Sequence, residues 1–252
     1  MLFSAPRTRR IAVINHKGGT GKTTTAVHMA AGFADAGRRV LLVDFDPQGN
    51  VATWFGVVPD VTAADLLLGR ATPQGAIVHV RRNLDCILSD ERLGQAQEAL
   101  FGRMANDEVL RRKLSPLEGY DCCIVDCAPS LNLLTRNALL YAEEVVIPIS
   151  MEYLALVGVR QLVESILRLR NGRRHEVEIS AVVPTFFTRR NKKSLEIIRT
   201  LKGHFGEVLT EPIRLNVKLS EAPSHGQTVF EYAPSSFGAR DYRKLVQRLQ
   251  NA

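Results

Sequence analysis

The sequence predicts an α/β protein, a doubly wound, mainly parallel sheet flanked by helices, in one domain over residues 1–252. Three observations predict it. Short apolar, β-branched runs alternate with longer amphipathic stretches, the pattern of βαβ units. Several runs, Val40–Val43 and Val145–Ile147 among them, are apolar at every position, as strands covered on both faces must be. No internal repeat, low-complexity tract or long linker divides the chain, and 252 residues suffice to bury a sizeable core.

In order, the expected strands are 11–15, 39–44, 84–88, 121–126, 144–149, 179–184 and 208–213. Helical periodicity lies between them at 22–36, 61–68, 91–113, 131–141, 155–171 and 194–202, with a last helix at 238–250. Residues 1–9 are expected to form a flexible N-terminus. Ligands of such sheets bind at the carboxyl ends of the strands. The polar motifs of this chain each follow a strand, so they should gather at that edge.

Lys and Arg number 33 against 26 Asp and Glu, a formal net charge of +7. That balance favours a polyanionic partner, nucleic acid or an anionic membrane, over a merely solvated basic surface. No apolar run approaches the ~20 residues of a membrane span. The short basic stretch Met1–Arg10 leads into a strand and a glycine loop, which is no signal-peptide core. The four cysteines are Cys86, Cys122, Cys123 and Cys127. Cys122 and Cys123 should point to opposite faces of one strand, and Cys123 and Cys127 stand roughly 13 Å apart along it. That spacing suits neither a disulfide nor a chelate, so buried, reduced thiols and a cytoplasmic setting are expected.

The densest motif is Lys17, Gly18, Gly19, Thr20, Gly21, Lys22, Thr23 and Thr24, directly after an apolar strand and opening a helix. In that context it is a phosphate-binding loop. The glycines allow backbone N–H groups to close around a β-phosphate. Lys22 should reach the β- and γ-phosphates, the Thr23 hydroxyl should ligate Mg²⁺, and Thr24 adds a donor at the helix N-terminus. Lys17 is a cation that the phosphates of one nucleotide do not need. It suggests a second nucleotide in a second subunit.

Two acidic motifs follow. Asp44 and Asp46 end the second strand two residues apart and so point the same way. One can orient a magnesium shell while the other holds an attacking water. Asp126 ends a buried strand, the expected place for the magnesium-side carboxylate of such a nucleotidase. A charge there costs several kcal/mol unless a cation compensates it.

Together these motifs resemble the ParA/MinD family of deviant-Walker P-loop ATPases. The resemblance extends to Leu131–Ala138, Val146–Ala155, Asn216–Ser224 and Ala233–Tyr242, and so covers about residues 10–250. It is closest to the short, chromosomal-type ParA proteins. The resemblance implies ATP and Mg²⁺ as cofactors. It implies that Lys17 reaches across an ATP-sandwich homodimer, and that Lys22 and Thr23 serve phosphate and metal. Asp46 would position or activate the attacking water beside the metal, Asp44 would support the switch loop, and Asp126 would hold the metal. Pro184, Thr185, Leu215 and Asn216 would frame the adenine. Where the family usually reads Ile-Pro-Arg-Asn, this chain reads Ile213, Arg214, Leu215, Asn216, which moves a positive charge by one position.

Residues 189–202 are rich in basic side chains with no interleaved aromatic, which favours sequence-independent phosphate contacts to duplex DNA over stacking on single strands. Leu195, Ile198 and Leu201 are expected to face the core. Matched to the placement of DNA contacts in ParA proteins, the candidates are Arg189, Arg190, Lys192, Lys193, Lys218, Arg240 and Arg243. The implied function is partition or positioning of DNA through hydrolysis stimulated by a ParB-like or cargo-adaptor protein, in association with the nucleoid. Positioning of a protein complex on the nucleoid uses the same chemistry. A MinD-like membrane role would need the tail residues Leu245, Val246 and Leu249 to insert, and no stable membrane binding is expected. An iron–sulfur reductase of the nitrogenase type would need a cysteine at the subunit seam, which Cys127 does not supply.

Overall fold

A computed structural model of the chain describes residues 8–101, 106–130, 132–173 and 176–251. Seven strands, β1 (Arg9–Val13), β2 (Val40–Phe45), β3 (Ile77–Arg81), β4 (Leu84–Ile87), β5 (Cys122–Cys127), β6 (Glu144–Ser150) and β7 (Glu178–Thr185), form one sheet. Their order is β3-β4-β2-β5-β1-β6-β7, and only the β3–β4 pair is antiparallel. The described helices are α1 (Lys22–Asp35), α2 (Asn50–Phe55), α3 (Ala63–Leu68), α4 (Pro73–Ala76), α5 (Arg92–Leu100) and α6 (Val109–Leu114). They continue with α7 (Leu133–Tyr141), α8 (Tyr153–Arg173), α9 (Lys192–Phe205), α10 (Val217–Glu221), α11 (Val229–Tyr232) and α12 (Phe237–Gln250).

The all-apolar strands are explained by two cores, one on each face. Ile11, Val13, Val40, Leu42 and Ile124 face α1 and α12. Ala12, Leu41, Val43, Val125 and Ile147 face the helices that include α3, α5, α6 and α7. The period-2 alternation splits Cys122 and Cys123 between these cores as expected. All four cysteines are free and buried, and burial pushes their thiols up in pKa.

Several expectations need correction. The segment 208–213 is not a strand. It meets β7 in one isolated bridge, Val182 to Leu209, with a second just beyond both segments, Phe187 to Arg214, and Pro212 has no N–H to continue a ladder. The seventh strand is instead β3, an edge strand whose short hairpin turns through Asn83 at φ 60°. The helix expected at 91–113 is broken. α5 stops where Phe101 turns extended, and α6 starts under a bond from the Leu110 N–H to Asn137 Oδ1. On α9 the buried stripe is Ser194, Ile197 and Leu201, so Leu195 faces out instead of the core. Residues 1–7 lie outside the described residues, but Thr8 and Arg9 are fixed. Thr8 bonds the Tyr120 carbonyl, and Arg9 in β1 holds Glu144 in a two-pronged ion pair at 2.5 and 2.7 Å.

Candidate functional site

β1 lies between β5 and β6, and its carboxyl end opens directly into the glycine loop. Gly19 and Gly21 take φ 70° and 83°, the left-handed region that an L side chain resists. Gly21 thereby serves as the N-cap of α1 without any side-chain cap, leaving the first N–H groups of the helix aimed into the loop. Gly18 and Gly19 have open space where a Cβ would stand, so a ligand can approach the backbone closely. Asn15 buttresses the entrance: its Nδ2 donates to the Pro148 carbonyl at 2.7 Å and its Oδ1 accepts from the Lys17 N–H at 3.0 Å.

Lys22 is buried, with its ammonium 3.3 Å from the Lys17 carbonyl. Burial lowers its pKa, while Asp126 and Asp46 hold it up. The ammonium of Lys17 is ion-paired to the carboxylate of Glu152, just beyond β6. Thr23 and Thr24 are half-buried at the start of α1.

The acids converge from neighbouring strands. Asp44 and Asp126 are direct partners in the β2–β5 register, and Val13, at the end of β1, is the partner of Asp126 on the other side. Asp44 is fully buried and accepts from the N–H groups of Asp46 and Val51, both at 3.1 Å. It therefore ties down the backbone on both sides of Asp46. Burial, and then Asp126, hold the Asp44 carboxyl well above its ordinary pKa. Asp46 accepts from the Gln48 N–H at 3.0 Å. Gly49, at φ 61°, lets this segment pack on Ser89, whose carbonyl would stand 2.6 Å from any Cβ there.

Asp126 is buried, and neither carboxylate oxygen has a hydrogen-bond partner of standard geometry. Burial pushes its pKa up to about 7, with Asp46 adding to the rise; the Thr23 hydroxyl and Lys22 act the other way. An orphaned buried carboxylate is costly unless something cationic completes it. Thr23, Asp46 and Asp126 together suit a hard cation such as Mg²⁺, whose shell is finished by phosphate oxygens and water. Among the described residues, no group of three His, Cys, Asp or Glu side chains is arranged to hold a metal ion.

Of the residues expected around the base, Pro184 and Thr185 are buried, and the Thr185 hydroxyl donates to the Thr20 carbonyl at 2.9 Å. The Asn216 side-chain oxygen caps α10 through the Lys218 N–H at 2.9 Å, leaving its amide nitrogen as the donor. Leu215 is exposed. Arg214 is committed elsewhere: it grips Asp241 at 2.8 and 2.5 Å and lies 4.1 Å over the Phe237 ring.

The basic candidates divide into two sets. Arg189, Arg190, Lys192 and Lys193 are exposed on the turn into α9 and form no salt bridge among the described residues. The other set is locally engaged. Lys218 pairs with Glu221 at 2.8 Å, Arg240 stacks 4.5 Å over Phe237, and Arg243 donates to the Pro234 carbonyl at 2.6 Å. Leu245, Val246 and Leu249 are buried in the core, so they cannot insert in a membrane while α12 stays packed. No helix among the described residues is long and apolar enough to cross one.

Two contributors had no sequence reading. Glu152 was legible only by position, at the carboxyl end of a strand beside the loop. His28 lies fully buried in α1. Its Nδ1 lies 2.6 Å from the Thr24 carbonyl, and its Nε2 accepts from the Val229 N–H at 2.9 Å. Its ring stacks on Tyr242 and meets Trp54 edge-on, joining the helix after Asp46 to the C-terminal helix. Burial lowers its pKa to about 4, so the ring is neutral.

The chain is similar to several known proteins. A family described as an AAA domain matches residues 8–179. The chromosome-partitioning ATPase Soj of Thermus thermophilus is 39% identical over 245 residues, covering 96% of each chain. The chromosome partitioning protein ParA of Caulobacter vibrioides is 37% identical over 255 residues, covering 98% of this chain and 96% of its own. Among solved structures, cobyrinic acid a,c-diamide synthase from Mycobacterium smegmatis, with bound ATP analog and magnesium, superposes with a TM-score of 0.84. It is 31% identical and the match covers 97% of this chain and 95% of that one.

Proposed function

The chain belongs to the ParA/Soj family of chromosome-partitioning ATPases, and we propose that it works as an ATP-driven dimer switch that carries or positions DNA. The observation that carries this reading is the pairing of a complete phosphate loop with a surplus lysine whose ammonium is paired with an exposed carboxylate. Mg²⁺, bound with ATP, would neutralise charge on the β- and γ-phosphates. Around it the chain's own residues have distinct work. The loop N–H groups and Lys22 hold the phosphates in place. Asp126 and the Thr23 hydroxyl would hold the metal. Asp46 orients the attacking water, and Asp44 fixes the backbone that presents Asp46.

Lys17 provides the switch. In the single chain it rests on Glu152, an exposed contact that costs little to break. In a dimer it leaves Glu152 for the phosphates of the partner's nucleotide, so ATP in one subunit holds the other. Hydrolysis removes that attraction, and a ParB-like or cargo-adaptor protein would accelerate it.

DNA is the partner favoured by the turn into α9. Lys192 and Lys193 open a helix that has no acid in its first turn, which places two cations where the helix dipole disfavours them. Local stability does not account for that choice, whereas a phosphate backbone does. With Arg189 and Arg190 they form a basic ridge, to which Lys218, Arg240 and Arg243 add in the dimer. Nucleoid association follows from the same contacts. Carriage of a protein complex along DNA would use the same surface.

Binding to duplex DNA with ATP, with ADP and without nucleotide tests this reading. ATP-dependent, sequence-independent binding is expected. ATP-dependent pelleting with anionic liposomes and no DNA binding would favour a membrane regulator instead.

A further inference from the structure

We propose that His28 is a positioning residue for the cations Lys218 and Arg243, which it sets in place for DNA by seating the short helix α11. This role rests on the reading that those two side chains meet a phosphate backbone, and it supplies what holds them in the chain.

His28 is fully buried in α1, one turn after Thr24 of the phosphate loop. A polar ring in an apolar layer is costly unless its nitrogens find partners. Here both do. Nε2 accepts from the Val229 N–H at 2.9 Å, so the ring proton sits on Nδ1 and is donated to the Thr24 carbonyl at 2.6 Å. The bond to Thr24 fixes the ring on its own helix. The bond to Val229 reaches 201 positions along the chain, to the first N–H of α11. That N–H is one of the donors that a helix start leaves without an internal partner.

A leucine or phenylalanine at position 28 would fill the space with less desolvation, but it would leave the Val229 N–H buried and unpaired. The histidine therefore specifies where α11 docks, which apolar packing alone does not. The same ring meets Phe230 of α11 edge-on at 5.4 Å and Trp54 of α2 edge-on at 4.9 Å. α11 is thus registered against the helix that opens from the phosphate loop and against the helix that follows Asp46.

α11 in turn carries the two cations. The guanidinium of Arg243 lies 5.3 Å over the Phe230 ring, and the ammonium of Lys218 lies 5.5 Å over the Tyr232 ring. Ring faces attract cations, so each ring is a seat. The Tyr232 hydroxyl also donates at 3.0 Å to Glu221, the carboxylate that Lys218 pairs with at 2.8 Å. The other bond of Arg243, to the Pro234 carbonyl at 2.6 Å, is made just past the end of α11. Arg240 differs, because it lies over Phe237 of α12. A shift of α11 therefore moves Lys218 and Arg243 and leaves Arg240 in place.

The test is the salt dependence of duplex DNA binding by the full chain with Mg·ATP. An asparagine amide reaches as far as Nδ1 of the ring and a glutamine amide as far as Nε2. His28→Gln therefore keeps an acceptor for Val229, and His28→Asn does not. Val229→Pro breaks the same bond from its other end, and it carries the test should His28→Asn not fold. Proline is accepted at the first position of a helix, and Thr228, at φ −73° and ψ 163°, already has the backbone that precedes a proline. His28→Asn and Val229→Pro should each make the slope of log K against log salt shallower by up to about 1.8 per protomer, about 0.9 for each cation. His28→Gln should keep the parent slope. In a Lys218→Ala, Arg243→Ala background neither change should move the slope further, a result that general loss of structure would not give. A parent slope in the folded asparagine or proline variant, equal loss in the glutamine and asparagine variants, or a further loss in the alanine background would overturn the proposal. An alanine pair that itself leaves the slope unchanged would defeat the DNA reading of Lys218 and Arg243, and the proposal with it.

Discussion

The ammonium of Lys17, at the mouth of the phosphate loop, is paired with the carboxylate of Glu152, two residues beyond the end of β6. Both side chains are partly open to solvent, at 35% and 64% exposure. A pair of that kind is worth about 0–1 kcal/mol. Glu152 can therefore park the lysine without locking it. Glu152→Gln should tighten the ATP-dependent dimer by up to about fivefold, the equivalent of 1 kcal/mol. Sedimentation equilibrium with Mg·ATP reads this directly, and a weaker dimer would show that Glu152 does not compete for Lys17.

Asp46 should separate binding from hydrolysis. It is held by backbone contacts to Asp44 and Gln48 and carries no structural ion pair among the described residues. Asp46→Ala should keep ATP affinity within about threefold while reducing turnover by about 100-fold, the usual scale for losing one group that handles a proton or water. A variant that turns over normally would remove Asp46 from the reaction.

Asp126 gives the nucleotide-free protein a particular pH dependence. An unfolded aspartate titrates near 4. In the fold the pKa is pushed up to about 7, mainly by burial. Between those values the folded state binds more protons, so stability is full below about 4 and falls as pH rises through about 7. Asp126→Asn should flatten that slope and raise the melting temperature at pH 8 by roughly 3 °C or more, since 1 kcal/mol is worth about 2–4 °C at this size. It should also weaken Mg·ATP binding. A melting profile from pH 5 to 8 that the variant does not change would contradict the assignment.

Lys192 and Lys193 should account for part of the salt dependence of DNA binding. Each phosphate contact contributes about −0.9 to the slope of log K against log salt. Replacing both with alanine should make that slope shallower by about 1.8 per protomer if both contact phosphate. Both are exposed, so the fold should be unaffected. An unchanged slope would place the DNA surface elsewhere.

Sequence periodicity reached most of this fold because the sheet is covered on both faces. Val40–Val43 and Val145–Ile147 could be read as buried strands with no knowledge of their neighbours. β3 was missed because it lies at an edge, where His79 and Arg81 interrupt the apolar pattern. The segment 208–213 has the composition of a strand, but Pro212 and its isolated bridge deny it a ladder. At the site, the loop and the acids were legible because glycine, lysine and aspartate at fixed spacing have few other uses. Glu152 and His28 were not, because their roles come from which elements meet. His28 acquires its partners from residues about 200 positions away.

The central claim is that Lys17 links ATP in one subunit to closure with another. Sedimentation of Asp46→Ala with Mg·ATP, beside the same protein carrying Lys17→Ala as well, tests it most directly. The account predicts a dimer for the single variant and a monomer for the double, both with ATP bound. A double variant that still forms the ATP-dependent dimer would contradict it.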